Sequence, residues 1–499
     1  MKLFKKFASF VLAFAMVMAI AMPSVVKAAG NGSITITGAK AGHTFEAYQI
    51  FAGDASDNTL SNLKWGNGVS AEGQTALGNA KEKADSLKNA ANAKEFASEV
   101  AQYLTTAAGT SVPDGQDYQM NNLAPGYYLV KDKDGSVVGQ DSYTKFILKV
   151  VGTNVSAAVK SDVPTSQKKV KDTNDTTGET TGWQDSADYD IGDKVPFQLT
   201  GNVASDYNQY KSAYQLVFHD TLSAGLTFDE SSVKVYVNDS KTPVATNQYT
   251  ITYPATDGHS FDVTIHDVRA LGENVSKVRV EYEAELNKNA VIGAVGNPNE
   301  MHMEFSNNPN STTGTEKGQT PTDKVIVFTY KVIVNKINSD RQPLSGAAFK
   351  LEKILKDGSK KVVKEYTIGE DENDPDKTRF EFTGLDDGQY ILTETVTPDG
   401  YNTMDPITFN ITAEHDETSD DPKLISLNSI LSKGTLSESE KTFTVNKNKG
   451  TLTAAVVNYM GSELPSTGGM GTTVLYVAGT IMILAAGVFL VMKKKAENN

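Results

Sequence analysis

The chain has 499 residues, a formal net charge of −14 and no cysteine. The acidic excess argues against nucleic-acid binding, and the lack of cysteine excludes disulfide cross-links from an exported protein. The six histidines show no clustered ligand spacing, so we expect no catalytic triad, no metal site, no cofactor and no enzyme activity on an external substrate. A chain of this length predicts about three domains.

The N-terminus has the pattern of a secretory signal peptide. Three lysines within the first six residues precede an apolar segment at 7–22, and Val26-Lys27-Ala28 offers small residues at a cleavage point before Ala29. We assign residues 1–28 to this signal. The chain that follows is therefore expected outside the cell membrane.

The first domain is predicted at 29–160 and combines strands with helices. Strand-like alternation occurs at 33–37, 45–51, 127–131 and 146–151. Between 71 and 108 the apolar residues recur at helical spacing, so one or two helices are expected as an insertion. Residues 161–166, which include a proline, are predicted to be a linker.

Two further domains are predicted to be β-sandwiches, at 161–323 and at 324–462. The middle domain contains short strand-like segments separated by turn residues, without helical spacing. The third is expected to begin with a strand at 325–337 and to end with one at 453–458. The predicted fold class is mainly β: tandem immunoglobulin-like domains between an N-terminal signal peptide and a C-terminal transmembrane helix.

The C-terminal segment 463–499 combines three signals in a fixed order. The pentapeptide Leu464-Pro465-Ser466-Thr467-Gly468 is followed by an uncharged apolar run at 474–492 and then by three lysines. The run has about the 20 residues that a helix needs to cross a bilayer. The arrangement resembles the sortase sorting signal of Gram-positive surface proteins. That resemblance implies cleavage between Thr467 and Gly468 and transfer of the Thr467 carbonyl to an amine.

The segment YILTETVTPDGY at 390–401 resembles the E-box, YxLxETxxPxGY, of pilin domains with the Cna B-type fold. The resemblance implies a self-formed Lys–Asn isopeptide bond that Glu394 promotes. Strand alternation places Glu394, Lys336 and Asn458 each on an apolar face of its own strand. Burial favours a neutral, nucleophilic lysine and a protonated acid that could polarise the Asn458 carbonyl. The alternative is a buried ion pair with a hydrogen-bonded asparagine.

The middle domain repeats this pattern with Lys168, Asp220 and Asn307. Each of the three begins or ends an apolar strand face, and their surroundings resemble the middle domain of major pilins. The resemblance implies a Lys168–Asn307 bond assisted by Asp220. Lys169, Lys171 and Asn308 remain the alternatives.

In the first domain, the stretch 123–130 resembles the lead-in to an E-box, but Lys131-Asp132 stand where Glu-Thr is expected. No isopeptide bond is therefore predicted there. Major pilins offer an acceptor lysine where the first domain meets the middle one, in a motif resembling Tyr-Pro-Lys-Asn. Lys160 matches its position, although the other motif residues differ, and Lys169 is the second candidate.

Together these features resemble a sortase-assembled major pilin, the shaft subunit of Gram-positive pili. The expected partners are other copies of the chain, a class C pilin sortase, the housekeeping sortase, minor pilins, peptidoglycan and a host ligand. The expected location is the cell wall, after transient membrane anchoring. The alternative is a monomeric wall-anchored adhesin that binds a host protein or glycan, with the helical insertion available for binding.

Overall fold

The computed structural model describes residues 32–56, 59–367, 377–436, 442–462 and 470–496. The predicted signal peptide and the pentapeptide with Leu464, Pro465, Thr467 and Gly468 lie outside these residues.

The first domain consists of two packed sheets in which most neighbouring strands are antiparallel. The strand orders are β5-β6-β1-β9 and β3-β2-β7-β8, with β4 beside β2. Its first and last strands, β1 and β9, pair in parallel. The elements are β1 (Gly32–Thr37), β2 (Phe45–Ser56), β3 (Thr59–Trp65), α1 (Ala71–Leu77), α2 (Ala80–Ser86), α3 (Ala90–Val100), β4 (Gly109–Thr110), β5 (Val112–Asp114), β6 (Asp117–Leu123), β7 (Gly126–Asp132), β8 (Ile147–Val151) and β9 (Asn154–Ala158).

The predicted helical insertion is present as three short helices. Ser70, Asn79 and Asn89 begin them, each accepting a hydrogen bond from a backbone N–H of the first turn. The apolar face of α3 is buried against the sheet, where Phe96 stacks on Phe51 with ring centroids 5.5 Å apart. The insertion therefore has its own apolar core between helix and sheet.

The middle domain is a β-sandwich of the sheets β10-β14-β19-β16 and β13-β22-β20-β15-β18-β17, with β21 beside β20 and a separate hairpin of β11 and β12. The residues of β19 alternate between buried and half-buried along almost its whole length. A strand produces this alternation when one of its faces lies in the core, because successive side chains point to opposite faces. The strands are β10 (Ser166–Val170), β11 (Thr173–Asn174), β12 (Glu179–Thr180), β13 (Ser186–Asp188), β14 (Lys194–Asn202), β15 (Leu216–Leu222), β16 (Leu226–Val237), β17 (Tyr249–Thr252), β18 (Phe261–Ile265), β19 (Lys277–Leu286), β20 (Asn297–Ser306), β21 (Lys317–Gln319) and β22 (Asp323–Phe328).

The boundary between the middle and third domains differs from the prediction. The single strand expected at 325–337 is two strands, because β22 pairs with β20 and β13 of the middle domain and the next strand begins at Tyr330 in another sheet. The chain therefore crosses to the third domain at Thr329. Both strands are apolar, so alternation alone could not show the change of sheet.

The third domain packs the sheets β26-β23-β31-β30 and β25-β24-β27-β28-β29. Its first and last strands, β23 and β31, are parallel neighbours. The strands are β23 (Tyr330–Asn338), β24 (Ala348–Ile354), β25 (Lys360–Glu365), β26 (Arg379–Leu385), β27 (Gly388–Val396), β28 (Ile407–His415), β29 (Leu424–Lys433), β30 (Thr444–Asn446) and β31 (Thr451–Asn458). Single 3-10 turns span Ala101–Tyr103, Tyr207–Gln209, Thr246–Gln248 and Val268–Leu271.

The C-terminal helix α4 (Met470–Ala496) carries the predicted apolar run. Its 20-residue stretch Leu475–Lys494 is the one helical segment in the described part of the chain that is long and apolar enough to cross a membrane.

Candidate cross-linking sites

The third domain brings its three predicted residues together inside the sandwich. Lys336 on β23 and Asn458 on β31 lie on neighbouring parallel strands, and Glu394 reaches them from β27 in the opposite sheet. Lys336 is fully buried, and the other two are buried as well. Alternation within each strand had predicted this common inward direction.

The distances place an amine beside a carboxamide. Lys336 Nζ lies 2.5 Å from Asn458 Oδ1 and 3.7 Å from Glu394 Oε1. Burial lowers the pKa of Lys336 to about 8, although the Glu394 carboxylate acts in the opposite direction. The lysine can therefore lose its proton readily and become a nucleophile.

Glu394 contacts the amide differently from the sequence-based expectation. Asn458 Nδ2 donates to Glu394 Oε1 at 2.9 Å and to Oε2 at 3.1 Å, so the acid faces the amide nitrogen and not the carbonyl oxygen. The backbone N–H of Met404 also donates to Oε2. This arrangement suits a carboxylate that takes a proton from the lysine and delivers it to the departing amide nitrogen.

In the middle domain, Lys168 and Asp220 form a buried ion pair with a tyrosine that the sequence analysis did not identify. Lys168 on β10 and Asp220 on β15 are fully buried, and Lys168 Nζ donates to Asp220 Oδ2. Tyr282 Oη on β19 accepts from Lys168 Nζ at 3.0 Å and donates to Asp220 Oδ2 at 3.0 Å. Desolvation lowers the pKa of Lys168 and raises that of Asp220, which favours the neutral form of both groups.

The asparagine that contacts Tyr282 in this group of buried side chains is Asn299. It is fully buried on β20, and its Nδ2 donates to Tyr282 Oη at 2.7 Å. Its Oδ1 has no hydrogen-bond partner within the described residues, an unfavourable state for a buried carbonyl. Lys168, Asp220 and Asn299 thus meet around one tyrosine hydroxyl. The sequence signal was present, because Asn299 alternates in phase with Met301 and Met303.

Lys168 and the predicted partner Asn307 are not hydrogen-bonded to each other in the described structure. Asn307 lies beyond the end of β20, and its Nδ2 donates to the backbone oxygen of Asp141 in the first domain at 3.3 Å. Asn307 also accepts a backbone hydrogen bond from Tyr143. Its buried position therefore results from contact between domains. The alternation of residues along a strand puts Asn299 and Asn307 on the same face. It could not show which of the two lies near Lys168.

Lys353 is a further buried lysine, which the sequence analysis did not identify. It lies on β24 at the junction of the middle and third domains, with Nζ 2.8 Å from Asp386, 3.2 Å from Asp190 and 3.4 Å from Asp175. Desolvation opposes its charge, but these carboxylates outweigh that effect and raise its pKa. Lys353 therefore remains a cation that joins the two domains, whereas burial lowers the pKa of Lys168 and of Lys336.

Asp132, the second of the two residues that stand where an E-box has Glu-Thr, contacts a histidine. Asp132 is buried at the end of β7, where its Oδ1 lies 2.6 Å from His43 Nδ1 and its Oδ2 accepts from Thr144 N–H at 2.6 Å. None of the described lysines of this domain is buried. His43 Nε2 also lies 3.3 Å from Asp141, the residue that contacts Asn307.

The His43 cluster predicts a pH-dependent stability of the first domain. Desolvation lowers the pKa of His43, but Asp132 and Asp141 outweigh it and raise the pKa from 6.5 to about 9. The stabilisation of the folded domain by protonated His43 is complete below pH 6.5 and is lost as the pH rises through about 9. The reason is that His43 of the unfolded chain releases its proton at a lower pH than His43 of the folded domain. We expect a loss of about 3 kcal/mol in the free energy of unfolding, measurable by thermal unfolding of the full-length protein between pH 6 and 10.

The control for this titration is His43→Gln, which cannot carry the charge. Its first-domain transition should vary less over the same pH range, whereas the contribution of His415 at the junction of the middle and third domains remains in both proteins. Equal pH dependence in the two proteins would show that His43 does not cause the change.

Lys160 lies where the first domain meets the middle one. Its backbone N–H donates to Thr144 Oγ1 at 2.8 Å and its carbonyl accepts from Lys145 N–H, while its side chain is exposed. Its Nζ makes no hydrogen bond or ion pair with the described residues. Partial desolvation, with Lys149 and Lys145 nearby, lowers its pKa. Lys169, by contrast, is paired with the buried Asp185.

Three family descriptions match consecutive parts of the chain. Residues 191–309 match the Cna-B-like domain of "Gram-positive pilin backbone subunit 2", 330–422 match the SpaA "prealbumin-like fold domain", and 457–499 match the "LPXTG cell wall anchor motif". The last match includes the predicted cleavage site, and the first two contain most of the residues of the two buried clusters.

Similar proteins agree with these matches. The trypsin-resistant surface T6 protein of Streptococcus pyogenes serotype M6 is 25% identical, over 93% of this chain and 95% of that protein. The three-domain structure of the T6 backbone pilin of the same serotype has a TM-score of 0.56 at 18% identity and covers 88% of this chain. The full-length major pilin SpaD of Corynebacterium diphtheriae has a TM-score of 0.50 at 19% identity, with the same coverage of this chain. These two structures establish the likeness of fold.

Proposed function

We propose a subunit joint and two internal cross-links for this chain, which belongs to the backbone pilins of Gram-positive bacteria. As a backbone pilin it is the structural subunit of a covalently polymerised, wall-anchored pilus. The joint links Thr467 of one subunit to Lys160 of the next, and the cross-links are Lys168–Asn299 and Lys336–Asn458. The observation that carries the cross-links is the convergence of a lysine, an acid and an asparagine in each core.

The third-domain cross-link follows from its distances. The Lys336 ammonium gives a proton to Glu394, and the neutral amine attacks Cγ of Asn458. A new N–C bond forms and the original amide C–N bond breaks. Glu394 passes one proton to the departing nitrogen and takes the remaining proton from the attacking nitrogen, so that ammonia leaves and Glu394 ends protonated. The product is neutral, so the core no longer contains a lysine ammonium or a carboxylate that it must stabilise.

The middle-domain cross-link uses Asp220 and Tyr282. Proton transfer from Lys168 to Asp220 frees the amine, which attacks Cγ of Asn299 as the amide C–N bond breaks. Asp220 passes one proton to the departing nitrogen, which Tyr282 holds, and takes one from the attacking nitrogen, so that ammonia leaves and Asp220 ends protonated. The bond would connect the sheet that contains β10 to the sheet that contains β20. The Oδ1 atom of Asn299 has no hydrogen-bond partner among the described residues. It is the carbonyl oxygen that must be polarised when the amine attacks, so its position is consistent with the proposed bond.

The subunit joint is supported by the position of Lys160. An exposed amine with a lowered pKa and no ion-pair partner in the described structure is available to an acyl-enzyme, whereas the ammonium of Lys169 is held by Asp185. A class C pilin sortase would catalyse this transfer. The housekeeping sortase would attach the finished fibre to peptidoglycan, with minor pilins and a host ligand as further partners.

The choice between Asn299 and Asn307 is tested by intact mass. The protein is isolated in detergent from a host that lacks sortases, so the whole mature chain is retained. Relative to its own sequence mass, the wild type should lack two ammonias, Asn299→Ala should lack one, and Asn307→Ala should still lack two. A tryptic peptide that joins the Lys168 and Asn299 segments identifies the bond directly.

The matched controls for this measurement are Asn299→Asp and Lys169→Ala. The first keeps the volume of Asn299 but presents a carboxyl group, whose condensation with the lysine releases water instead of ammonia. If the bond forms in this variant, its mass deficit therefore changes from ammonia to water. The second should leave both bonds in place. Loss of a bond in Asn307→Ala, with none lost in Asn299→Ala, would contradict the assignment of Asn299.

A further inference from the structure

Half of the six histidines meet on one outer face of the middle domain. His219 on β15 pairs directly across the sheet with His302 on β20, and His259 approaches from the loop before β18. The ring centroids are 4.7 Å apart for His219 and His259, 4.8 Å for His219 and His302, and 5.0 Å for His259 and His302. Neither cross-link uses any of these residues.

Two carboxylates complete the group. His219 Nδ1 lies 2.8 Å from Asp262 and 3.3 Å from Asp257, and His259 Nδ1 lies 2.8 Å from the other oxygen of Asp257. One nitrogen or oxygen from each of these four residues lies within 4.8 Å of every other. Neither aspartate has a lysine or arginine partner in the described part of the chain, so no cation of the protein balances their charge.

We infer that His219, His259, Asp257 and Asp262 form a site for a divalent transition-metal ion such as Zn2+. A tetrahedral ion with bonds of about 2.0–2.2 Å holds its ligand atoms about 3.3–3.6 Å apart, so small movements from the present contacts suffice. The ion replaces the hydrogen-bonding proton at each Nδ1, and the two carboxylates balance its double charge. Imidazole and carboxylate together suit zinc better than calcium, which prefers an all-oxygen set.

The surroundings agree with this inference. The side chains of His219 and Asp262 are 11% and 13% exposed and are held by the sheet, whereas Asp257 is 41% exposed and leaves a path from solvent. The ring centroid of His302 lies 4.8 Å from that of His219, so this third imidazole is close enough to serve as an additional ligand.

The test is zinc titration calorimetry on full-length protein in detergent, without an affinity tag and after treatment with a chelator. One Zn2+ per chain is expected, and His219→Ala, His259→Ala and Asp262→Asn should each lower the affinity at least about tenfold. His266→Ala is the matched control, because His266 bonds to Thr250 at the surface and lies outside the group. X-ray absorption at the zinc edge should show a mixed shell of nitrogen and oxygen at about 2.0 Å.

Two results would overturn the site. One is a wild-type protein without stoichiometric zinc binding. The other is a wild-type affinity that changes less than tenfold in the three site variants, or that falls equally in His266→Ala. A mass deficit of two ammonias in a variant, equal to that of the wild type, would show that the variant still folds, since both cross-links need an intact core.

Discussion

Lys160→Ala is expected to abolish polymerisation. In wall extracts of cells that make the wild-type protein, denaturing gels should show a ladder of high molecular weight, because each step is an amide bond that survives denaturation. In the variant the ladder should collapse to a single species, since the acyl-enzyme formed at Thr467 has lost its amine. The measurement is an immunoblot of wall extracts.

Two further variants sharpen this result. Lys160→Arg keeps the positive charge but offers a guanidinium that is not deprotonated, so it should also lack the ladder. Lys149→Ala removes a neighbouring lysine that contributes to the lowered pKa of Lys160 and should retain the ladder. Persistence of the ladder in Lys160→Ala would refute the acceptor assignment. A wild type without any ladder would favour the monomeric adhesin.

Glu394→Ala is expected to prevent the third-domain cross-link. The mass deficit should fall from two ammonias to one, because Glu394 is the carboxylate that faces Lys336 and Asn458 within the described residues. The missing bond would have closed a loop over a sequence separation of 122 residues. By analogy with disulfides, its loss removes about 4–5 kcal/mol of stability. The third-domain transition should fall by roughly 10–25 °C, measured by differential scanning calorimetry.

Glu394→Gln separates chemistry from packing in this experiment. The glutamine fills the same space and can still bond to Asn458, but it cannot accept the lysine proton, so the cross-link should again be missing. Glu381→Ala removes a partly exposed acid that pairs with Lys331 in the same domain and should leave the mass deficit of two ammonias, and hence the cross-link, unchanged. A full mass deficit in Glu394→Gln would show that the acid is not needed as a base.

Both experiments test chemistry that depends on residues far apart in the sequence. Lys336 and Asn458 could nevertheless be predicted together, because each interrupts an apolar strand face at the start or the end of a domain. The E-box supplied Glu394 as the third member. The structure brings all three into one core, as strand alternation requires. The C-terminal anchor could also be predicted from the sequence, since an apolar run followed by lysines needs no tertiary context to be recognised.

The middle domain shows where such patterns stop being sufficient. A period of two places Asn299 and Asn307 on the same face of one strand, but it does not say where the strand ends or which end approaches Lys168. Only the pairing of β20 with β15 and β22 places Asn299 in the core. The same limitation explains the boundary at Thr329, where two consecutive apolar strands belong to different sheets.

By itself, the sequence determined the exported topology, the mainly β domains, the sorting signal and the third-domain triad, because each depends on local order or on alternation within one strand. The tertiary structure decided which buried groups surround Lys168, the charged role of Lys353 and the meeting of His219, His259 and His302. Each of these depends on register between strands that are distant in the chain. The environment of a buried amine, and hence its reactivity or its charge, is set by the groups that those strands bring to it.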